Sequence, residues 1–270
     1  MFHRVIPIFN GIFTFRFTGK SVTYHLDNVH SFIFLVIDER GKPVLVDTGF
    51  STDYIPGTES CCKQNREDEI CEAIKKNGFK TEDISTVIQT HMHWDHTGGM
   101  NMFPNACFYV QANEFKTMIN LQPNKEICYC PSHWMQVLPR IRLINGNFNL
   151  KPGIRLIHTG GHTPGHQVIE VKTREGIIIL AGDAPFNYDS LWEDISEKDW
   201  QNFRNLYKSR FYWDKGILPA IKAWLNHQDV HNNICSIPME LEEIKTLGDR
   251  IWYSHDPDLL GFNSDSEKDF

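Results

Sequence analysis

Nowhere in its 270 residues does the chain run eighteen apolar residues without a break, which excludes an ordinary transmembrane helix. The opening residues Met1-Phe2-His3-Arg4-Val5 lack the apolar core and small-residue cleavage site of a secretory leader. No basic stripe offsets a formal net charge of −7, so neither a nucleic acid nor a membrane is expected as a partner. Cysteine comes as an odd set of seven outside any secretory context, so reduced thiols and a cytoplasmic location are expected. Repeats, low-complexity tracts and linker-like stretches are missing too. With 41% hydrophobic residues there is material for a substantial core, and residues 1–270 are expected to form a single domain. A homodimer is compatible with this composition.

Histidine, by contrast, is concentrated. His91-Met92-His93-Trp94-Asp95-His96 packs four potential metal ligands into six residues, just after the apolar pair Val87-Ile88. In an extended segment, residues i and i+2 point the same way, so His91 and His93 can grip one ion. Past the bend, Asp95 and His96 are free to face a second. Further candidates sit beyond other short β-branched or aromatic runs. Gly161-His162-Thr163-Pro164-Gly165-His166 follows residues 154–157, Ala181-Gly182-Asp183 follows 177–180, and Ser254-His255-Asp256 follows 251–253. Val46-Asp47-Thr48-Gly49 ends another run and adds a carboxylate. Each position reads as a strand end, so the polar groups collect at one rim of a rigid apolar scaffold.

Residues 31–37 and 43–46 read as neighbouring strands joined at Glu39-Arg40-Gly41-Lys42, and Asn10-Gly11 reads as a second hairpin signal. A helix is expected over 66–77, ending at Gly78, and another over 113–121 after a strand at 107–110. Residues 122–140 carry Pro123, Pro131, Pro139 and Trp134 and are expected as a loop-rich insertion near the site. The aromatic-dense stretch from about 190 to 230 is expected as a helical insertion packed on the core.

Taken in order, these motifs resemble the metallo-β-lactamase superfamily, whose signature is H-x-H-x-D-H, a later His, a bridging Asp and a last His. The resemblance implies an α+β fold, an αββα sandwich of two mixed β-sheets flanked by helices. It further implies that His91, His93 and His166 hold one metal and that Asp95, His96 and His255 hold a second, with Asp183 bridging. On this reading His162 braces its loop, and Asp47 orients the ligand loops through hydrogen bonds. Within the superfamily the likeness is to the quorum-quenching N-acyl homoserine lactonases. It is carried by residues 161–167, by Ala181-Gly182-Asp183-Ala184 and by Ser254-His255-Asp256-Pro257. It places Trp94 and Phe186 against the substrate, Trp94 beside the acyl chain. Those lactonases carry a Tyr three residues after the bridging Asp, where its hydroxyl assists ring opening. Phe186 stands there in this chain, and Tyr188 is the candidate to supply the hydroxyl.

Five imidazoles and two carboxylates suit two divalent ions per chain, Zn²⁺ first, with Fe, Mn or Co as alternatives. The reaction implied is the opening of a small-molecule lactone or ester by a metal-bridging hydroxide, with Asp95 and Asp183 as the catalytic carboxylates. Three other activities use the same kind of site: thioester hydrolysis of the glyoxalase II type, phosphodiester or organophosphate hydrolysis, and persulfide dioxygenation at a single iron. The first is expected to need a helical glutathione-binding region after His255, where fifteen residues remain. The last would rest mainly on His91, His166 and Asp183.

Overall fold

The computed structural model describes residues 1–21, 23–57, 60–121, 123–187, 194–206, 217–228 and 237–262. Its strands are apolar on both faces, and this forces two sheets together under outer helices. In β2 (Thr23–Asp38), Phe32, Phe34 and Val36 turn toward the second sheet, while Ile33, Leu35 and Ile37 turn outward. The outward set is covered by α1 (Ile70–Lys76) through Ile70, Ala73 and Ile74, and, beyond the one-turn α2 (Trp94–Thr97), by α3 (Ala112–Met118) through Phe115 and Met118. Each such side chain fully buried contributes about 1.5–3 kcal/mol of transfer free energy.

Among the described residues the first sheet has the order β4-β1-β2-β3-β5-β6-β7. These strands are β1 (His3–Thr18), β2, β3 (Pro43–Val46), β4 (Cys61–Lys63), β5 (Thr86–Ile88), β6 (Cys107–Gln111) and β7 (Ile141–Ile144). The second has the order β12-β11-β10-β9-β8, from β8 (Phe148–Lys151), β9 (Ile154–His158), β10 (Gln167–Thr173), β11 (Gly176–Leu180) and β12 (Arg250–Trp252). Both are mixed. β3, β5, β6 and β7 run parallel and β1 to β3 antiparallel, while β12 adds in parallel to an otherwise antiparallel sheet. The α+β sandwich implied by the resemblance is the fold observed. Ile244, on the short helix Leu241–Lys245, packs on the outer face of the second sheet against Ile157, Val168 and Ile179.

Parallel pairing fixes where the loops emerge. Val46 sits opposite Ile88 and Leu180 opposite Trp252, so the chain leaves β3, β5, β11 and β12 at one end of the sandwich. The β9–β10 loop reaches the same end, where Gln167 N–H donates to the Thr90 carbonyl at 2.9 Å and ties the two sheets together.

Three expectations change. Asn10-Gly11 is no hairpin turn but a bulge inside β1, where the register slips between Phe9 and Gly11. Gly11 has φ +120°, and a Cβ there would come within 2.8 Å of the Lys63 carbonyl on β4, so a glycine is needed for the strands to meet. The helix expected over 66–77 breaks into a 3₁₀ turn (Arg66–Asp68) followed by α1. The proline-rich stretch folds as successive short helical turns, Pro123–Cys128, Pro131–Trp134 and Met135–Arg140. Pro131 starts the second of these, where a missing N–H costs nothing, and the fully buried Trp134 anchors it. Much of the aromatic stretch, including Tyr188, Trp192, Tyr207 and residues 211–213, lies outside the described residues. Within them, Trp200 is buried on the helix Glu197–Leu206.

Candidate metal centre

Asp47, the first residue past β3, has a left-handed backbone at φ +60°, an arrangement that costs about 1–3 kcal/mol for a non-glycine residue. Its hydrogen bonds account for it. The carboxylate accepts from Thr90 N–H and Thr90 Oγ1, each at 2.8 Å, and contacts His96 Nδ1 at 2.8 Å. Because the Thr90 hydroxyl donates to Asp47, it accepts from His91 Nδ1, 3.0 Å away. One carboxylate thus fixes two imidazoles and turns the Nε2 lone pair of each away from itself.

The same outward anchoring recurs. His162 Nδ1 donates to the Phe186 carbonyl at 2.6 Å, and His255 Nδ1 to the His30 carbonyl at 2.7 Å. Hydrogen bonds from the far ring nitrogen are the usual support for a metal-binding imidazole. What faces inward falls into two groups. His91, His93 and His162 bring their ligand atoms within 4.8 Å of one another, as do Asp95, His96, Asp183 and His255. Asp183 reaches both. Its Oδ1 lies 3.2 Å from His255 Nε2 and 3.3 Å from His96 Nε2, and its Oδ2 lies 3.5 Å from His162 Nε2. Asp95 Oδ2 is 3.4 Å from His255 Nε2.

Four atoms of the candidate ligands, His91 Nε2, His96 Nε2, His166 Nε2 and Asp183 Oδ1, are buried without a hydrogen-bond partner. Buried polar atoms rarely stay unsatisfied, and a lone pair left open on each suits a cation. The donor set therefore fits divalent metal.

Both histidines of the 161–166 loop stand at the centre. His162 groups with His91 and His93, its Nε2 lying 3.1 Å from His93 Nδ1. His166, which the resemblance implies as the ligand, has its ring 5.6 Å from that of His91. Its Nδ1 pairs with Thr159 Oγ1 at 2.7 Å, and its buried Nε2 has no hydrogen-bond partner and lies 3.0 Å from where a Cβ on Gly182 would stand. Phe186 lies next to the centre. The cleft beside the centre is lined by Phe13, Phe15, Leu26, Val29 and Trp94 together with His93, Asp95, Cys128, Asp183 and His255. Phe186 stands outside that lining, its ring 5.9 Å from His255 and its carbonyl on His162. Trp94 is buried with its ring 4.9 Å from that of Phe13. Tyr188 lies outside the described residues.

Electrostatics separates the two groups. Burial, reinforced by neighbouring imidazoles, holds His91 and His93 well below the usual histidine range, and burial also lowers His162, so these rings are neutral donors. Burial would neutralise His255 as well, but Asp183 and Asp95 outweigh it and raise its pKa to about 10. Burial opposes ionisation of Asp183, yet His255 and His96 keep its carboxyl well below the carboxylate range. A cation seated here must displace the His255 proton. Apparent affinity should accordingly rise with pH from about 6 to 9, and uptake near pH 7.5 should release at least one proton. Calorimetry of Zn²⁺ binding in buffers of different ionisation enthalpy measures that number; zero release would mean that His255 is already neutral.

Glu114 escaped the sequence reading. It is fully buried in the first turn of α3, and its carboxylate accepts from Met92 N–H at 2.9 Å, from Gly165 N–H at 3.0 Å and from the Thr163 hydroxyl. Burial raises its pKa to about 7 against these hydrogen bonds. The available signal was an acid placed next to Phe115 directly after a strand, where an exposed position would be the ordinary choice.

A two-sheet sandwich with imidazoles and buried carboxylates gathered on its end loops has the donor set of a metal-dependent hydrolase. The sequence profile of the metallo-beta-lactamase superfamily matches residues 26–232, and the chain belongs to that superfamily. It is 28% identical over 182 residues to an N-acyl homoserine lactonase of Bacillus thuringiensis, covering 62% of this chain and 69% of the relative. The lactonase AttM of Rhizobium radiobacter is 30% identical over 185 residues, covering 57% of this chain and 64% of the relative. A solved N-acyl homoserine lactone hydrolase, with the product N-hexanoyl-L-homoserine at its catalytic metal centre, superposes with TM-score 0.56 at 22% identity. The match covers 78% of this chain and 91% of that one. A probable metal-dependent hydrolase from Staphylococcus aureus gives 0.55 at 20% identity, over 78% and 84%. At these identities the two structures speak for the fold. Among the described residues no helix is long and apolar enough to cross a membrane.

Proposed function

We propose that this protein is a dinuclear metal hydrolase that opens lactones or esters carrying an apolar acyl chain, N-acyl homoserine lactones before others. The observation that carries the reading is the meeting of two buried donor groups at the inner end of an apolar cleft of about 440 Å³. Similarity to proteins named as N-acyl homoserine lactonases supports the choice of substrate.

His91 and His93, with an imidazole of the 161–166 loop, would hold one cation and Asp95, His96 and His255 the other, with Asp183 shared through its two oxygens. Zn²⁺ suits five imidazoles and two carboxylates, and Fe, Mn or Co is compatible. When bound, such a pair supplies Lewis acidity and lowers the pKa of a water from 15.7 toward about 7. The chain's own part is orientation. Phe13, Phe15, Leu26, Val29 and Trp94 take the acyl chain and exclude water, leaving the carbonyl at the Asp95–Asp183 end of the cleft. Asp95 lines that cleft and is less buried than Asp183, so it can take the proton from the attacking water and return it to the leaving oxygen. The whole chain acts as one catalytic unit, since residues from 47 to 255 contribute.

The test is a hydrolysis screen of lactones, thioesters and phosphodiesters on protein of measured metal content. Lactones should be cleaved with the highest kcat/KM by protein holding two metals per chain, and preference for another class would replace the reading. In the same screen Trp94→Ala should lower kcat/KM about tenfold more for ten-carbon than for four-carbon acyl chains, because each buried methylene is worth about 0.8 kcal/mol. The ratio between chain lengths cancels general damage to the core, and an unchanged ratio would take Trp94 out of the acyl site.

A further inference from the structure

We propose that Glu114 is a positioning residue that locks the His91–His93 loop and the 161–166 loop to each other, so that imidazoles from both loops face one cation. The proposal rests on the metal-centre reading above and assigns parts of the glycine-rich motif that metal binding leaves unexplained.

The geometry is specific. Met92, whose N–H donates to Glu114 Oε2, stands between His91 and His93 and fixes the backbone that aims them. Glu114 Oε1 accepts from Thr163, next to His162, and from Gly165 N–H. One carboxylate on the rigid α3 therefore spans two loops that come from different sheets. Gly165 is small for the same reason. A Cβ there would lie 2.4 Å from Glu114 N and 2.7 Å from its Oε1, so any side chain would push the loop off its anchor. Thr163 and Gly165 are read as the docking face of this carboxylate, and the flanking His162 and His166 as the rings the docking presents.

Glu114→Gln keeps the size but offers one acceptor oxygen and an NH₂. Either Met92 N–H or the Thr163–Gly165 pair then faces a donor, and one loop comes free. Outer hydrogen-bond partners of this kind typically govern tenfold to hundredfold in metal affinity. Zn²⁺ affinity, measured by chelator competition on the full chain, should fall by that factor in Glu114→Gln, with far-UV circular dichroism unchanged. With a hydrolysable lactone, the Zn²⁺-saturated variant should lose kcat while KM moves less than threefold. Thr163→Val should weaken Zn²⁺ in the same way, and Thr163→Ser, which keeps the hydroxyl, should restore affinity to within threefold. If Glu114→Gln fails to fold, the Thr163 pair decides. Affinity within threefold of the parent in both Glu114→Gln and Thr163→Val overturns the proposal, as does equal loss in the Ser and Val variants. Zinc binding that depends on Glu114 in a protein inert to lactones would keep the positioning role and discard the substrate.

Discussion

Asp183→Asn is expected to lower kcat at least about a thousandfold while leaving the secondary structure in place. The amide keeps the volume but replaces one ligand oxygen with an NH₂ that has no lone pair for a cation. Among the described residues, Asp183 is the carboxylate with oxygens toward both groups, at 3.2 and 3.3 Å from His255 and His96 and 3.5 Å from His162. On the proposed dinuclear reading, losing it would remove both a shared ligand and a negative charge that balances two dications. A thousandfold corresponds to about 4 kcal/mol of lost transition-state stabilisation, within what a metal contributes to such a reaction. The backbone should tolerate the change. The turn bond from Phe186 N–H to the Asp183 carbonyl, 2.9 Å, does not involve the side chain. His96 and His255, deprived of their partner, shed protons rather than remain buried cations. Metal content per chain, kcat and circular dichroism of the metal-free variant check this together, and near-parental turnover in a metal-replete variant would sink the bridged arrangement.

The architecture could be read from the chain because strand ends announce themselves. A β-branched or aromatic run followed within a few residues by Asp or His marks where a buried ladder stops and a polar group begins. That pattern located Asp47, His91, Asp183 and His255, and parallel pairing then brought them to one end of the sandwich. Two-sided burial of β2 was visible in its unbroken apolar residues. What could not be read depends on contacts distant in sequence. Asn10-Gly11 has the composition of a turn, yet Asn10 Oδ1 accepts from Phe50 N–H at 2.8 Å and Gly11 yields to the Lys63 carbonyl, so tertiary pairing overrides the local signal. Glu114 on a helix reads as a solvated acid. Only the positions of Met92, Thr163 and Gly165, 22 to 51 residues away, make it a buried acceptor. Prolines at 123, 131 and 139 suggest loop, but proline is welcome at a helix start, and Trp134 supplied burial that composition could not foretell.

The choice between His162 and His166 shows the limit most clearly, and it yields the second large effect. Both lie in one glycine-rich loop, four residues apart, and spacing favours neither. The structure holds both rings by Nδ1. The Phe186 carbonyl takes the Nδ1 proton of His162 and leaves Nε2 facing His93 and Asp183, while Thr159 holds His166 Nδ1 and leaves its buried Nε2 without a partner beside Gly182. His162→Ala tests the ring that reaches His93 and should cost at least one metal per chain and about a thousandfold in kcat. Both side chains are buried, so His162→Ala and His166→Ala should each destabilise the metal-free fold by about 2–4 kcal/mol. Zn²⁺ affinity, not stability, tells the ligand from its neighbour, and in His166→Ala it should stay within about tenfold. Urea unfolding of metal-free protein and chelator competition for Zn²⁺ read the two effects independently. Should His166→Ala lose the metal and His162→Ala keep it, the second histidine of the loop would be the ligand, and the ring that reaches His93 only its support.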